Sequence, residues 1–96
     1  MKTTIQQGTK LVTTAGTPVA LVAASTLVRS VEFIGYKARA TANAGAVYIG
    51  TKGSQLRTLA SAAAVTLPAN DGEKIDLASI YIDAATNGDG VLWTAR

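Results

Sequence analysis

The sequence contains no cysteine and no histidine. Without cysteine, neither disulfide bonds nor thiolate-bound metals can stabilise the chain. Without histidine, it lacks the usual general base near neutral pH, the commonest zinc ligands and the Ser–His–Asp and Cys–His nucleophile arrangements. We therefore expect no enzymatic activity, no cofactor and no bound metal.

Runs of like charge and long apolar runs are also missing. The net charge of +3 comes from scattered residues, which favours solubility but not a nucleic-acid partner. Residues 1–7 lack the apolar core of a signal peptide, and no stretch approaches the ~20 apolar residues of a membrane span. We expect a soluble protein made in the cytoplasm, without a membrane partner. Five scattered cations near Tyr36 and Tyr48 read better as a solvated surface than as a nucleic-acid site: Arg29, Lys37, Arg39, Lys52 and Arg57.

Bulky side chains are scarce. The chain has one Trp, three Tyr and one Phe, against 18 Ala, 13 Thr and 9 Gly among 96 residues. A chain of this length forms one domain and buries a modest share of its surface. Its stability is therefore expected to depend partly on partners.

Short runs of β-branched and aromatic residues dominate what is present, and Gly, Asn or Pro interrupts them about every ten residues. This pattern predicts about eight short antiparallel strands. We expect an all-β fold, either a single small β-sandwich of jelly-roll or immunoglobulin-like type or a compact barrel. Residues 10–96 would form this domain, and residues 1–9 an N-terminal arm that orders only by docking.

The last quarter of the chain gives the clearest local prediction: a strand, a one-turn corner at residues 77–80, a second strand and a closing strand. Asn87-Gly88-Asp89-Gly90 predicts a hairpin turn between the last two strands, because these residues accept positive φ. Asn70-Asp71-Gly72 predicts another turn. Residues 55–64 are ambiguous between a short helix with an apolar stripe and an irregular loop that leads into a strand, and the loop is favoured.

Two acidic patterns resemble functional sites without fulfilling them. A calcium loop that starts at Asp83 would have Ala85 at its third position and Thr94 at its twelfth, so essential ligands are missing. Asp76 and Asp83 could form a catalytic carboxylate pair, but strand ends facing water are the better interpretation.

Four aromatic residues lie in strands that carry large apolar groups on both faces: Tyr36, Tyr48, Tyr81 and Trp93. An antiparallel sheet with one wet face should alternate instead, and a small sandwich has only one interior. Single exposed tyrosines are common, but contact with other subunits is the favoured explanation. These four residues and Ile5, in the arm, are the candidate interface residues.

Three phrases together resemble small virion structural proteins of tailed bacteriophages, over roughly residues 10–94. They are Thr-Thr-Ala-Gly-Thr-Pro-Val at 13–19, Val-Tyr-Ile-Gly at 47–50, and Ile-Asp-Leu-Ala-Ser-Ile-Tyr-Ile-Asp at 75–83 with the turn that follows. Such proteins are Ala/Thr/Gly-rich β-sandwiches that decorate or cement capsids or form head-fibre bases. The resemblance implies a virion protein that binds the major capsid protein and copies of itself, as a dimer or trimer.

The sequence thus predicts a non-enzymatic capsid decoration or cement protein. The alternative is a tail- or fibre-associated module that binds carbohydrate or a receptor, with Trp93 or the tyrosines as an exposed sugar platform.

Overall fold

The computed structural model describes residues 5–69 and 72–96. Within them the chain forms twelve strands and one short 3-10 helix, Leu77–Ser79. The strands are β1 (Gln6–Leu11), β2 (Val19–Ala20), β3 (Leu27–Val28), β4 (Ser30–Ile34), β5 (Tyr36–Ala38), β6 (Thr41–Ala42), β7 (Val47–Thr51), β8 (Ser54–Leu59), β9 (Ala64–Pro68), β10 (Ile75–Asp76), β11 (Tyr81–Ala84) and β12 (Gly90–Ala95).

The strands pair in a nested order. β1 pairs with β12, β2 with β11, β3 with β10 and β4 with β9, while β7 and β8 pair inside them. The chain is therefore one long hairpin, which β12–β4 and β11–β7 pairing wraps into two four-stranded antiparallel sheets. The front sheet has the order β1-β12-β4-β9 and the back sheet the order β2-β11-β7-β8. This double Greek-key arrangement is a jelly roll, so the predicted all-β sandwich is confirmed.

The core lies between the sheets and follows from strict alternation along the central strands. In β4, Val31 and Phe33 are buried while Glu32 between them is exposed. Phe33 is paired with Trp93 of β12, which is 8% exposed. Burial of a side chain such as Phe33 contributes roughly 1.5–3 kcal/mol. These two aromatic residues pack in a core that is otherwise built from leucine, isoleucine, valine and alanine.

The predicted hairpin at residues 87–90 is wrong. β11 belongs to the back sheet and β12 to the front sheet, so residues 85–89, here called the crossing loop, connect two sheets. Gly88 does adopt positive φ (+85°). The turn residues therefore located the bend in the chain correctly. They do not determine which strand β12 pairs with, because that depends on which apolar faces can meet in the core.

The ambiguous segment 55–64 is neither a helix nor an irregular loop at its start. Residues 54–59 form β8, which pairs with β7, and the chain turns at residues 61–62, where Ala62 has a φ of 63°. Tertiary pairing overrides the helical spacing of the alanines and leucines. The predicted corner at residues 77–80 is confirmed as the 3-10 helix.

The predicted arm boundary also needs correction. Gln6–Leu11 is a full edge strand that pairs with β12, so the ordered domain begins before residue 10. Residues 1–4 of the predicted arm, and Asn70 and Asp71 of the predicted turn, lie outside the described residues. Gly72, the last residue of that turn, has a φ of +76°.

Glycine allows close approach of β1 and β12. A Cβ at Gly90 would overlap the carbonyl oxygen of Lys10 and lie 2.8 Å from the Cα of Leu11. Both are main-chain atoms of a paired strand, so they cannot move aside without opening the ladder.

Replacement of Gly90 by alanine should therefore lower the free energy of unfolding by about 3 kcal/mol, the upper end for overpacking. Gly53→Ala is the matched control, because a Cβ at Gly53 meets nothing within 4 Å. Urea unfolding followed by Trp93 fluorescence measures both variants. Equal stabilities would contradict the close packing of β1 on β12.

Candidate interaction surface

The carboxylate and amide side chains in the last quarter of the chain form hydrogen bonds with backbone groups. Asp89 is fully buried, and its two carboxylate oxygens accept separate hydrogen bonds from the N–H groups of Ala44 (3.0 Å) and Gly45 (2.8 Å). Beside it, the buried Asn43 donates to the Gly90 carbonyl (2.7 Å) and accepts from the Gly90 N–H (3.1 Å). The loop before β7 is therefore fixed to the crossing loop and to the start of β12.

Asp83 and Asn87 fix a second loop in the same way. The Oδ1 atom of Asp83 accepts from the N–H of Gly16 (2.9 Å) and from that of Ala84 (2.8 Å). The Oδ1 atom of Asn87 accepts from the Ala15 N–H (2.7 Å). The turn between β1 and β2 thus depends on side chains almost seventy residues away in sequence.

Asp76 caps the 3-10 helix and binds a third loop. Its Oδ1 atom accepts from the N–H groups of Ala78 and Thr26 (both 3.0 Å), and its Oδ2 atom accepts from the Ser25 hydroxyl (2.8 Å). The Ser25 hydroxyl, followed by the two backbone N–H groups, holds the pKa of Asp76 below its ordinary value of 3.8.

These contacts explain the acidic patterns in the sequence. Asp76 and Asp83, the possible catalytic pair, each bind a different loop. The oxygens of Asp83, Asn87 and Asp89 that would resemble calcium ligands accept backbone hydrogen bonds instead. In residues 5–69 and 72–96 there is no group of three or more acidic side chains placed to hold a metal ion.

Two of the predicted interface residues lie together on the outer face of the back sheet. Tyr81 and Asp83 alternate in β11 with the buried Ile82 and Ala84, so they face away from the core. Tyr48 is paired with Asp83, and Tyr81 with Gly50, which makes the tyrosines diagonal cross-strand neighbours. Both are half-buried. At this spacing long aromatic side chains are within reach of each other.

The remaining three interface candidates lie in different parts of the molecule. Trp93 is a core residue, so the prediction that it forms a contact is wrong; its ring lies 3.0 Å from where a Cβ of Gly8 would stand. Tyr36 is half-buried in β5, beside β12 and β1. Ile5 is 60% exposed and borders a hollow on the front sheet with Glu32, Thr94 and Arg96.

Sequence reasoning missed Leu56 of β8, which at 89% is the most exposed of the large hydrophobic side chains in the described residues. Leu56 lines an apolar groove of about 410 Å³, here called the edge groove, between β8 and β9. The lining residues are Ile49, Gly50, Thr51, Ser54, Leu56, Arg57, Leu67, Ser79 and Ile80. Leu56 and Leu59 are three residues apart, so in a strand they lie on opposite faces, and only Leu59 is buried. Their helical spacing hid this in the sequence.

The scattered cations do not converge on one patch. Arg39 borders the outer face of the front sheet with Ile34 and Leu92, whereas Arg57 lines the edge groove. The two guanidinium groups therefore serve different surfaces.

No protein-family model, curated protein or solved structure matches the chain. The helical part of the described chain is limited to three residues, so none of its helices is long enough to cross a bilayer. The candidate surface therefore rests on the geometry of the molecule itself.

Asp89→Asn should lower the free energy of unfolding by about 1–3 kcal/mol, because an amide replaces one of two acceptors and leaves a buried N–H unsatisfied. Asp83→Asn is the matched control, since Oδ1 accepts both bonds there and asparagine retains that oxygen. We expect its effect to stay within about 0.5 kcal/mol. Chemical denaturation distinguishes the variants, and a larger loss in Asp83→Asn would refute this account of the loops.

The lowered pKa of Asp76 predicts a specific acid sensitivity. A carboxyl group whose folded-state pKa is depressed stabilises the fold above its unfolded-state pKa, and this contribution is lost as the pH falls through the folded-state pKa. Asp76→Asn should therefore be less stable than the parent at neutral pH and should lose less stability on acidification. Unfolding measured from neutral to strongly acidic pH, with Glu73→Gln as a control for net charge, tests this; parallel curves for parent and variant would disprove it.

Proposed function

We propose that the protein is a non-enzymatic virion structural protein that decorates or cements the capsid shell of a tailed bacteriophage. Its partners would be the major capsid protein and copies of itself. The proposal combines the resemblance of the sequence to such proteins with the large apolar side chains that the molecule exposes.

One observation carries the proposal. Four large aliphatic side chains are exposed, although the chain has few large side chains to fill its core: Ile5, Leu11, Leu27 and Leu56, at 60, 44, 58 and 89%. When a partner covers such a side chain, the free energy of binding gains about 25 cal/mol for each Å² of apolar surface that is removed from water. The outward tyrosine pair, Tyr48 and Tyr81, adds aromatic area of the kind enriched at interfaces.

Binding to a lattice fits a protein of this size. An ordinary contact buries about 800 Å² on each partner, a large share of the 5803 Å² that this molecule exposes. A small subunit that touches several neighbours therefore makes several limited contacts. On a repeating shell such weak contacts act together, so a bound copy of the protein stays on the shell effectively permanently.

Empty particles assembled from the coat protein of the same genome test the function directly. The protein should co-sediment with them saturably, in fixed ratio to coat subunits, and should raise the temperature at which the particles dissociate. A variant with Leu11, Leu27 and Leu56 all changed to aspartate should bind at least tenfold more weakly, a loss of about 1.4 kcal/mol.

Gly53→Asp adds a negative charge in an open turn and serves as the control for charge. Absence of saturable binding by the parent protein, with light scattering that shows an indifferent monomer, would overturn the proposed function.

A carbohydrate-binding module of a tail or fibre is the second candidate, favoured by the adjacent Tyr48 and Tyr81 with Asp83 beside them. Aromatic faces with a nearby acceptor are suited to sugar rings and hydroxyl groups. Retention on a glycan column that Tyr81→Ala abolishes, by a protein that ignores particles, would select this function. The buried Trp93 has no part in it.

A further inference from the structure

The edge groove lies where both sheets end on the same side of the sandwich. β8 is the last strand of the back sheet and β9 the last strand of the front sheet. Leu56 and Arg57 of β8 and Leu67 of β9 line one groove, which Ile49 and Ile80 close from the core side. Its volume of about 410 Å³ falls within the ~300–1,000 Å³ of ordinary binding pockets.

The two edges differ in how they are protected against pairing with another strand. β9 ends in Pro68, which removes a hydrogen-bond donor from the edge. β8 has the sequence Ser-Gln-Leu-Arg-Thr-Leu, with neither proline nor lysine, and exposes Leu56 almost completely. An exposed edge strand with a large aliphatic side chain is a template for another strand.

Charge defines the chemistry of the occupant. Among the described residues that line the groove, Arg57 is the one that carries a charge, and it is exposed. An occupant with a carboxylate near Arg57 gains a charge-assisted hydrogen bond, whereas a cationic occupant is repelled.

We propose that the edge groove receives an extended segment of a neighbouring protein subunit, which adds to β8 as a further strand. Its apolar side chains cover Leu56, and an acidic side chain on its other face pairs with Arg57. Main-chain hydrogen bonds to β8 supply affinity, and the groove supplies selection of side chains. That the neighbour is a coat subunit rests on the proposed function, but the preference for an acidic, apolar strand does not.

The first test uses a short synthetic peptide in which valine alternates with threonine and one threonine is replaced by glutamate. Titration to millimolar concentration, followed by amide NMR of the intact protein, should shift resonances of β8, β9 and residues 79–80. Leu56→Asp should abolish the shifts, whereas Leu27→Asp, which changes an exposed leucine outside the groove, should preserve them. Both side chains are exposed, so both variants should fold.

A charge swap tests the role of Arg57. Arg57→Glu should bind the glutamate peptide at least tenfold more weakly, about 1.4 kcal/mol, and should bind the corresponding lysine peptide better than the parent does. If the parent and Arg57→Glu each bound the glutamate peptide and the lysine peptide with the same affinity, the charge complementarity would be refuted. The proposal would be overturned if the peptide shifted resonances elsewhere or shifted none at all. It would also be overturned if the β8 shifts depended only on protein concentration, because the groove would then bind a second copy of the protein.

The particle assay separates this inference from the proposed function. Loss of particle binding in Leu56→Asp but not in Gly53→Asp, the charge control, supports both. Undiminished binding of Leu56→Asp leaves the decoration function intact and overturns the use of the groove on the shell. If the parent ignores particles, the proposed function fails, and the peptide titration alone decides the inference.

Discussion

The fold depends on satisfying the backbone N–H groups of loops that have no strand to pair with. A buried N–H without a partner costs about 1–3 kcal/mol, a large part of the stability of a small domain. Asp89 meets this requirement for Ala44 and Gly45, and Asn43 does so for both backbone groups of Gly90. No buried polar side-chain atom in the described residues lacks a partner, so this network is complete.

The same constraint divides the molecule into two ends. At one end, residues 12–16 and 43–46 form hydrogen bonds with residues 83–90, and residues 61–63 form hydrogen bonds with Gly35 and Asn43. At the other end the chain turns back through the 3-10 helix and the tight β7–β8 turn, and the edge groove opens near it. Of the large exposed aliphatic side chains, Ile5, Leu27 and Leu56 lie away from the hydrogen-bonded loops, whereas Leu11 adjoins them.

Much of the architecture was predictable from local patterns. Alternation and turn residues indicated short antiparallel strands, and the corner at residues 77–80 was located correctly. The partner of each strand was not predictable, because positive φ at Gly88 is equally compatible with a hairpin and with a crossing between sheets. β8 was missed because its leucines and the alanines that follow lie at helical spacing and do not alternate, and only pairing with β7 makes the segment a strand. Among the interface candidates, Trp93 is instead a core residue. Gly8, which lies opposite it, leaves room for the indole ring inside the sandwich, and this relation between distant residues is not visible in local sequence patterns.

The nested pairing has a consequence for how the protein is made. β12 lies between β1 and β4 in the centre of the front sheet, yet it is the last strand of the fold to leave the ribosome. Until residues 90–95 emerge, β1 has no partner strand, β4 can pair only with β9, and Asn43 has no Gly90 to bind. Contacts between residues so far apart in sequence also form slowly. The front sheet therefore stays incomplete until residues 90–95 have been translated.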